Sequence, residues 1–210
     1  MIELKGEKDR FTAIAEKKTW KRPWNNSLSG VGSELPTTEN IRREIPIIIK
    51  KYSIKSILDC PCGDFFWMSN IIDSLELDKY VGGDIVDFII EDLKNKYDSK
   101  DKIEFKTIDL ISDELPTTDL IICRDCLVHM NLERINSSIK NMVKNSKYIL
   151  MTHFPDIKQN VMSNKPWFPY NLTIEPFNLK SPIEIIQENE FDPNSYGRKT
   201  LSLWKAEDLI

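Results

Sequence analysis

The stretch that decides the fold is LDCPCGDF, Leu58 to Phe65. It closes an apolar run, SILDC (56 to 60), that reads as a buried strand. Gly63 then gives a tight turn into DFFWMSNIIDSLEL (64 to 77), which reads as a helix. The same stretch holds Cys60 and Cys62, and the other two cysteines of the chain sit in CRDC, Cys123 to Cys126. On spacing alone a four-thiolate metal site, a redox pair and ordinary packing are all open.

Outward from this turn, strand-like and helix-like runs alternate. KYVGGDI (79 to 85) is strand-like, DFIIEDLKNKY (87 to 97) sets Phe88, Ile89, Ile90 and Leu93 on a helical face, and KIEFKTID (102 to 109) alternates as a strand. DLIICRD (119 to 125) reads as a buried strand, LERINSSIKNMV (132 to 143) as a helix and KYILMTHF (147 to 154) as a strand. SPIEIIQEN (181 to 189) is expected as a helix with Ser181 as cap and Pro182 in first position, and KTLSLW (199 to 204) as a last strand. Alternation of this kind predicts an α/β, Rossmann-like fold with a doubly wound, mostly parallel sheet. Ligands of such sheets bind at the carboxyl ends of the strands, near the point where strand order reverses. Residues 1 to 36 lie outside the alternation, as does the 154 to 180 segment, whose length is typical of lids and binding loops.

With 210 residues the chain is long enough for one domain with an appendage. Its 29 Lys and Arg against 33 Asp and Glu give a net charge of -4 with the signs interspersed, which disfavours nucleic acid as a partner. MIELKGEKDRF has no apolar signal region and IPIIIKKY, the most apolar run, is too short to span a bilayer. A cytoplasmic protein without membrane insertion is expected, its four cysteines reduced. The sequence carries no signal of oligomeric state.

The strand ends hold the chemistry. Strand one ends in Asp59; the second ends in Asp84 after two glycines, about 25 residues on, near the interval at which dinucleotide-type folds place a carboxylate on ribose hydroxyls. The third ends in Asp109, able to accept from the exocyclic amine of a purine, and the fourth in Arg124 and Asp125. A lone acid at such a place is most often a helix cap or a solvated carboxylate. Three at three successive strand ends form a pattern.

In that order LDCPCGDF resembles the first motif of class I S-adenosylmethionine-dependent methyltransferases, usually LDxGCGxG. YVGGDIV resembles their second motif, and FKTIDLISDELPTTDLIICRDCLVHM the stretch from the adenine-contacting acid through the fourth strand, so that the resemblance covers residues 53 to 153. It implies a seven-stranded sheet and S-adenosyl-L-methionine as cofactor. Asp59 is implied to anchor the amino group, and the turn Cys60, Pro61, Cys62 and Gly63 to pass against the methionine part. Asp84 with Ile85 would hold the ribose, Asp109 with the Leu110 backbone would read the adenine, and Cys123, Arg124 and Asp125 would lie under the sulfonium. Pro61 stands at the family's first glycine and Phe65 at its third; Pro61 suits a turn of negative φ, whereas Phe65 removes a site of close helix packing.

On this reading no metal is expected. Cys60 and Cys123 end buried strands, Cys62 is the small residue of the turn, and Cys126 packs. Structural zinc usually takes CxxC knuckles on turns, and the acid inside CRDC opposes a redox thiolate. A zinc-stabilised binding module without catalysis is the non-enzymatic alternative.

Methyl transfer from a sulfonium is an in-line displacement, and a hydroxyl acceptor must also lose a proton. His129 follows strand four and shares a face with Asp125 if that segment is helical, so the two are expected as the catalytic pair; a histidine capping the next helix is the plainer alternative. His153, at the end of strand five, is a candidate acceptor ligand and the alternative base, with a purely structural histidine as the plainer reading. WNNSLSGVGSELPTTEN (24 to 40) has Gly30 and Gly32 with no preceding strand and reads as a polar lid, from which Trp24 and Ser29 would reach the acceptor, or as a solvated connector. PWFPYNL (166 to 172) mixes stiff aromatics with Asn171, as sugar pockets do, which adds Trp167, Tyr170 and Asn171 to Arg124 as acceptor ligands; aromatics packed over the sheet edge fit equally.

Arg124 and Asp125 followed by His129 also resemble the corresponding stretch of phosphoethanolamine N-methyltransferases. The whole pattern, from WNNSLSGVGS through CPCGD and ICRDCLVH to SLWKAEDL, resembles bacterial methyltransferases of surface-polysaccharide (capsule) biosynthesis. The resemblance implies O-methylation of a small polar acceptor, a sugar or phosphorylated precursor, with N-methylation of a phospho-base as the alternative. Residues 1–52 are then an N-terminal cap, and 53–210 the methyltransferase domain with a substrate loop at 154–180.

Overall fold

A computed structural model describes residues 6–97, 100–161, 166–189 and 197–209. Helices α1 (Glu7–Glu16) and α2 (Glu39–Lys51) precede strand β1 (Ser56–Asp59). Then follow β2 (Lys79–Asp84), α3 (Asp87–Tyr97), β3 (Ile103–Thr107), β4 (Thr118–Cys123), α4 (Leu132–Asn145), β5 (Ser146–His153), β6 (Glu184–Gln187) and β7 (Thr200–Lys205). The described strands form one seven-stranded sheet in the order β3-β2-β1-β4-β5-β7-β6. Strands β1 to β5 run parallel, and β7 is antiparallel to both β5 and β6. This is the doubly wound, mostly parallel sheet that the alternation predicts. Strand order reverses between β1 and β4, so the crevice opens beyond Asp59 and Cys123.

Period-two alternation places the core on both faces. In β4, Leu120 and Ile122 enter one apolar cluster while Ile121 and Cys123 enter the other, and all four are fully buried. The first cluster takes Ile41, Ile45, Ile48 and Ile49 from one stripe of α2, and the second takes Ile135, Ile139 and Met142 from α4. Each such aliphatic side chain stabilises the fold by roughly 1.5–3 kcal/mol relative to exposure. The cap segment therefore shares its core with the sheet through α2.

Two expected helices are not helices. Residues 64 to 77 form two single 3-10 turns, Met68–Asn70 and Ile72–Ser74. Phe65 enters the segment at φ +60, outside the right-handed helical region. The Ser69 and Ser74 hydroxyls and the Asn70 amide then bond carbonyls of Phe66 and Ile71 at 2.7–2.8 Å, offering the backbone an alternative to a helix. The second correction is SPIEIIQEN, which holds strand β6 instead. Its Ile185 is exposed and Ile186 buried, the alternation of a half-buried strand, and Ile186 registers with Leu201 of β7. Without β6 the β7 edge would be left unpaired. No described helix is long and apolar enough to cross a membrane.

Candidate functional site

The CPCG turn hangs between two strands. Cys60 N–H donates to the Ile122 carbonyl at 2.9 Å and Cys62 N–H to the Gly83 carbonyl at 2.8 Å. Gly63 has φ +54, and a Cβ there would come within 2.2 Å of Ser29 Oγ, so both its backbone and its surroundings require glycine. Its N–H donates to Asp84 Oδ2 at 3.0 Å, while Val86 N–H donates to Oδ1 at 3.0 Å. Asp59 Oδ2 accepts from the Tyr80 hydroxyl at 2.7 Å, and Asp109 Oδ1 from Ile111 N–H at 2.9 Å. Gly82 is glycine because a Cβ would lie 2.6 Å from the Phe105 ring. Phe65 meets that same ring, with those of Tyr80 and Tyr97, at centroid distances of 5.1–5.3 Å. It is fully buried, so the side chain at the third glycine position of the motif this turn resembles is core.

Asp59, Asp84 and Asp109 line one side of a cavity of about 500 Å³. Burial pushes the Asp59 carboxyl up to about 7, against the Tyr80 hydroxyl and Arg124. Burial likewise raises Asp84 to about 6, against the N–H groups of Val86 and Gly63. Near neutral pH Asp59 is therefore divided between its two protonation states, and Asp84 is mostly ionised.

The side of the cavity beyond β4 is built differently. His129 ends a 3-10 turn, Leu127–His129, not the helix expected to bring it onto one face with Asp125. Its Nδ1 lies 2.7 Å from the Pro166 carbonyl, which accepts only from an N–H; the proton is on Nδ1 and the lone pair on Nε2. The ring stacks on Trp20 at 5.4 Å and meets Phe11 edge-on at 5.8 Å. Burial pulls its pKa below the ordinary histidine value, against the Pro166 carbonyl and Asp125, so the imidazole is neutral at pH 7.

Asp125 sits at φ +54, its N–H donating to Thr152 Oγ1 at 2.8 Å. Burial pushes its carboxyl up, but Lys199 at 2.6 Å and Arg124 at 3.4 Å outweigh burial and hold it well below the usual carboxylate range. Arg124 is itself buried. Its Nε lies 3.2 Å from both Glu188 oxygens, one terminal nitrogen is 2.5 Å from Oε2, and the same nitrogen donates to the Gly32 carbonyl at 2.6 Å. Among the described residues Arg124, Lys199, Glu188 and Asp125 thus form a cluster of two cations and two anions.

Most residues expected at the site do line the cavity: Ser29, Cys60 to Gly63, Ile85, Leu110, Arg124, Asp125, His129 and Trp167, beside the three strand-end acids. Five do not. Cys123 turns its side chain into the core beneath α4, because the pleat sends alternate residues to opposite faces. His153 is 2 % exposed, accepts from Leu172 N–H on Nδ1 at 3.1 Å and packs edge-on to Trp204; burial takes its pKa down to about 4. Tyr170 donates its hydroxyl to the Met130 carbonyl and packs with Phe168 and Phe177. Asn171 donates to the Pro155 and Ile157 carbonyls and accepts from Thr173, bracing the loop from within. Trp24 is 60 % exposed.

Residues that the sequence reading missed are Phe11 and Trp20 of the cap, Asp64, Trp67, Glu188 and Lys199. Of these only Asp64, adjoining Gly63, lies inside a recognised motif. The four cysteines are free thiols, and burial pushes those of Cys60 and Cys62 up. Among the described residues no group of three or more His, Cys, Asp or Glu is arranged to hold a metal ion.

No family model matches the sequence, and no curated protein matches it. Solved structures resemble the fold. Magnesium protoporphyrin IX methyltransferase (ChlM) from Synechocystis PCC 6803 with bound SAH superposes with a TM-score of 0.66 at 11% identity, over 94% of this chain and 96% of that one. The N-methyltransferase NodS from Bradyrhizobium japonicum WM9, in complex with S-adenosyl-L-homocysteine, gives 0.62 at 12% identity over 92% and 97%. The methyltransferase domain of bacterial CtHen1 gives 0.61 at 12% identity over 80% and 99%. At such identities the likeness speaks for the fold: this chain has the Rossmann-like methyltransferase fold.

Proposed function

We propose that the chain is a cytoplasmic S-adenosyl-L-methionine-dependent methyltransferase that O-methylates a sugar, free or in a phosphorylated precursor of a surface polysaccharide. One observation carries the reading: the strand-end acids Asp59, Asp84 and Asp109 share a cavity with the neutral imidazole of His129. The acids suit the cofactor. Asp59 ionises on meeting an ammonium group, Asp84 has lone pairs left for ribose hydroxyls, and Asp109 with the Leu110 backbone faces the place of the purine. The bound cofactor supplies the electrophilic methyl group.

The chain's own residues do the rest. Nε2 of His129 accepts the hydroxyl proton as the acceptor oxygen attacks, and the Pro166 carbonyl steadies the imidazolium through Nδ1–H. Asp125, kept ionised by Lys199, accepts a hydrogen bond from the acceptor without removing its proton. Trp20 and Phe11 offer flat apolar faces to a sugar ring. The runner-up, N-methylation of a phospho-base, would use Arg124 as the phosphate ligand. Its guanidinium is already engaged by Glu188 and Gly32, which favours the hydroxyl acceptor.

Titration calorimetry with S-adenosylhomocysteine tests the reading. Micromolar binding that weakens at least about 100-fold in Asp84→Ala is expected, the loss of two charge-assisted hydrogen bonds. No binding, binding indifferent to Asp84→Ala, or stoichiometric zinc lost in Cys60→Ser would overturn it. Release of S-adenosylhomocysteine on incubation with sugar phosphates, nucleotide sugars and phosphoethanolamine then separates the acceptors.

A further inference from the structure

The glycine-rich lid is fastened at two points, one at each end of the site. At the first, the Asp64 carboxylate accepts from Leu28 N–H at 2.6 Å, Ser27 Oγ at 3.0 Å and Ser29 Oγ at 3.1 Å, while Asp64 N–H donates to Ser29 Oγ at 3.3 Å. Glu34 grips the same loop, accepting from the N–H groups of Asn26 and Ser27 at 2.7 Å each. At the second, Arg124 donates to the Gly32 carbonyl at 2.6 Å, and a Cβ on Gly32 would lie 3.3 Å from Asp125 Oδ2. The residues between, Leu28 to Ser33, line the cavity.

The first fastening touches the cofactor turn itself. Ser29 Oγ occupies the space a Cβ on Gly63 would need, and the Gly63 N–H is held by Asp84. A continuous set of contacts therefore runs from the Asp84 carboxylate through Gly63 and Ser29 to Asp64. Ionised carboxylates make the stronger hydrogen bonds, and three donors converge on this one.

We infer that Asp64 is a positioning residue that latches the lid onto the cofactor turn, so that seating the cofactor and completing the acceptor wall are one event. The inference rests on the reading of the Asp59 and Asp84 side as the cofactor site. The latched lid braces the turn against which the cofactor lies, and the second fastening at Gly32 presents the lid to Asp125.

Asp64→Asn keeps the shape of the side chain but replaces one acceptor oxygen with a donor that faces other donors. Two readouts test it. Amide hydrogen exchange at Leu28 and Ser29 should speed up about tenfold or more in Asp64→Asn, with Ile121 and Ile122 of β4 unchanged, and S-adenosylhomocysteine should slow the lid amides less in the variant than in the wild type. Affinity for S-adenosylhomocysteine should fall about tenfold, well short of the loss in Asp84→Ala. Unchanged lid exchange, or exchange raised equally at β4, overturns the latch. If the wild type binds no S-adenosylhomocysteine, the functional reading fails while lid exchange still decides the latch. Should Asp64→Asn not fold, Ser27→Ala with Ser29→Ala removes two of the three donors instead, and lid exchange as slow as in the wild type would overturn the inference.

Discussion

The two sides of the cavity are made by different means. On the side of β1, β2 and β3 each carboxylate stands at or just beyond the end of its own strand and is held by the turns and strands of the sheet itself: Asp84 by Val86 and Gly63 N–H, Asp109 by Ile111 N–H and Asp59 by the Tyr80 hydroxyl of the neighbouring strand. On the β4 side the groups come from far apart in the chain: His129 is packed by Phe11 and Trp20, Arg124 is paired with Glu188, and Asp125 with Lys199. The first side is a property of the sheet's topology. The second is assembled by residues of the N-terminal segment and by groups flanking β6 and β7.

Substitutions should separate the two sides. His129→Ala is expected to lower turnover by about 10²–10⁴-fold, as loss of a general base does, with S-adenosylhomocysteine affinity retained. An equal loss of cofactor affinity would show that the sides are not independent. Glu188→Ala leaves the Arg124 guanidinium buried with less compensation, and should cost about 3–5 kcal/mol of stability in a denaturant titration; a cost below about 1 kcal/mol, the range of an exposed pair, would show that Arg124 is not dependent on it.

The acids predict a pH dependence. On the proposed reading the cofactor is held by ionised Asp59 and Asp84, so protons compete with it, and S-adenosylhomocysteine affinity should fall from about pH 8 toward pH 5 as sites near 7 and 6 fill, up to about tenfold per unit for each group. The ligand-free protein should respond in the opposite sense. Both folded-state values lie above the ordinary 3.8, so their contribution to stability is fully present below that value and is lost as pH rises through 6 and 7. Calorimetry and melting at several pH values check both signs, and Asp59→Asn should flatten the upper limb of each. The smallest effect is expected at the other histidine. His153→Ala strands Leu172 N–H and should cost about 1–3 kcal/mol of stability while leaving turnover at saturating acceptor unchanged.

The same contrast governs what could be read from the sequence. The strand ends are legible because a parallel sheet forces each strand to finish at the crevice, so Asp59, Asp84 and Asp109 follow from alternation and spacing alone. The residues after β4 are only half legible. His129 and Asp125 stand close in sequence, but the groups that set their protonation, Pro166 and Lys199, are distant. His153, Tyr170 and Asn171 have the side chains of a binding site, and nothing local distinguishes that use from bracing a long loop. β6 was misread because its isoleucines, with Ser181 and Pro182 ahead of them, mimic a capped helix, whereas the decisive fact is the β7 edge that needs a partner. The segment from 64 to 77 misleads for a related reason: its apolar spacing is helical, while a positive φ at Phe65 and the Ser69, Asn70 and Ser74 side chains that bond nearby carbonyls work against a helix.

Phe65 has a consequence for engineering. A design guided by the methyltransferase motif that this turn resembles would write glycine there, and would relieve a strained backbone by roughly 1–2 kcal/mol. It would also remove a ring from the cluster of Tyr80, Tyr97 and Phe105, and emptying an aromatic site costs about 3–5 kcal/mol. The outlier in the motif is therefore the residue that a consensus library should leave untouched.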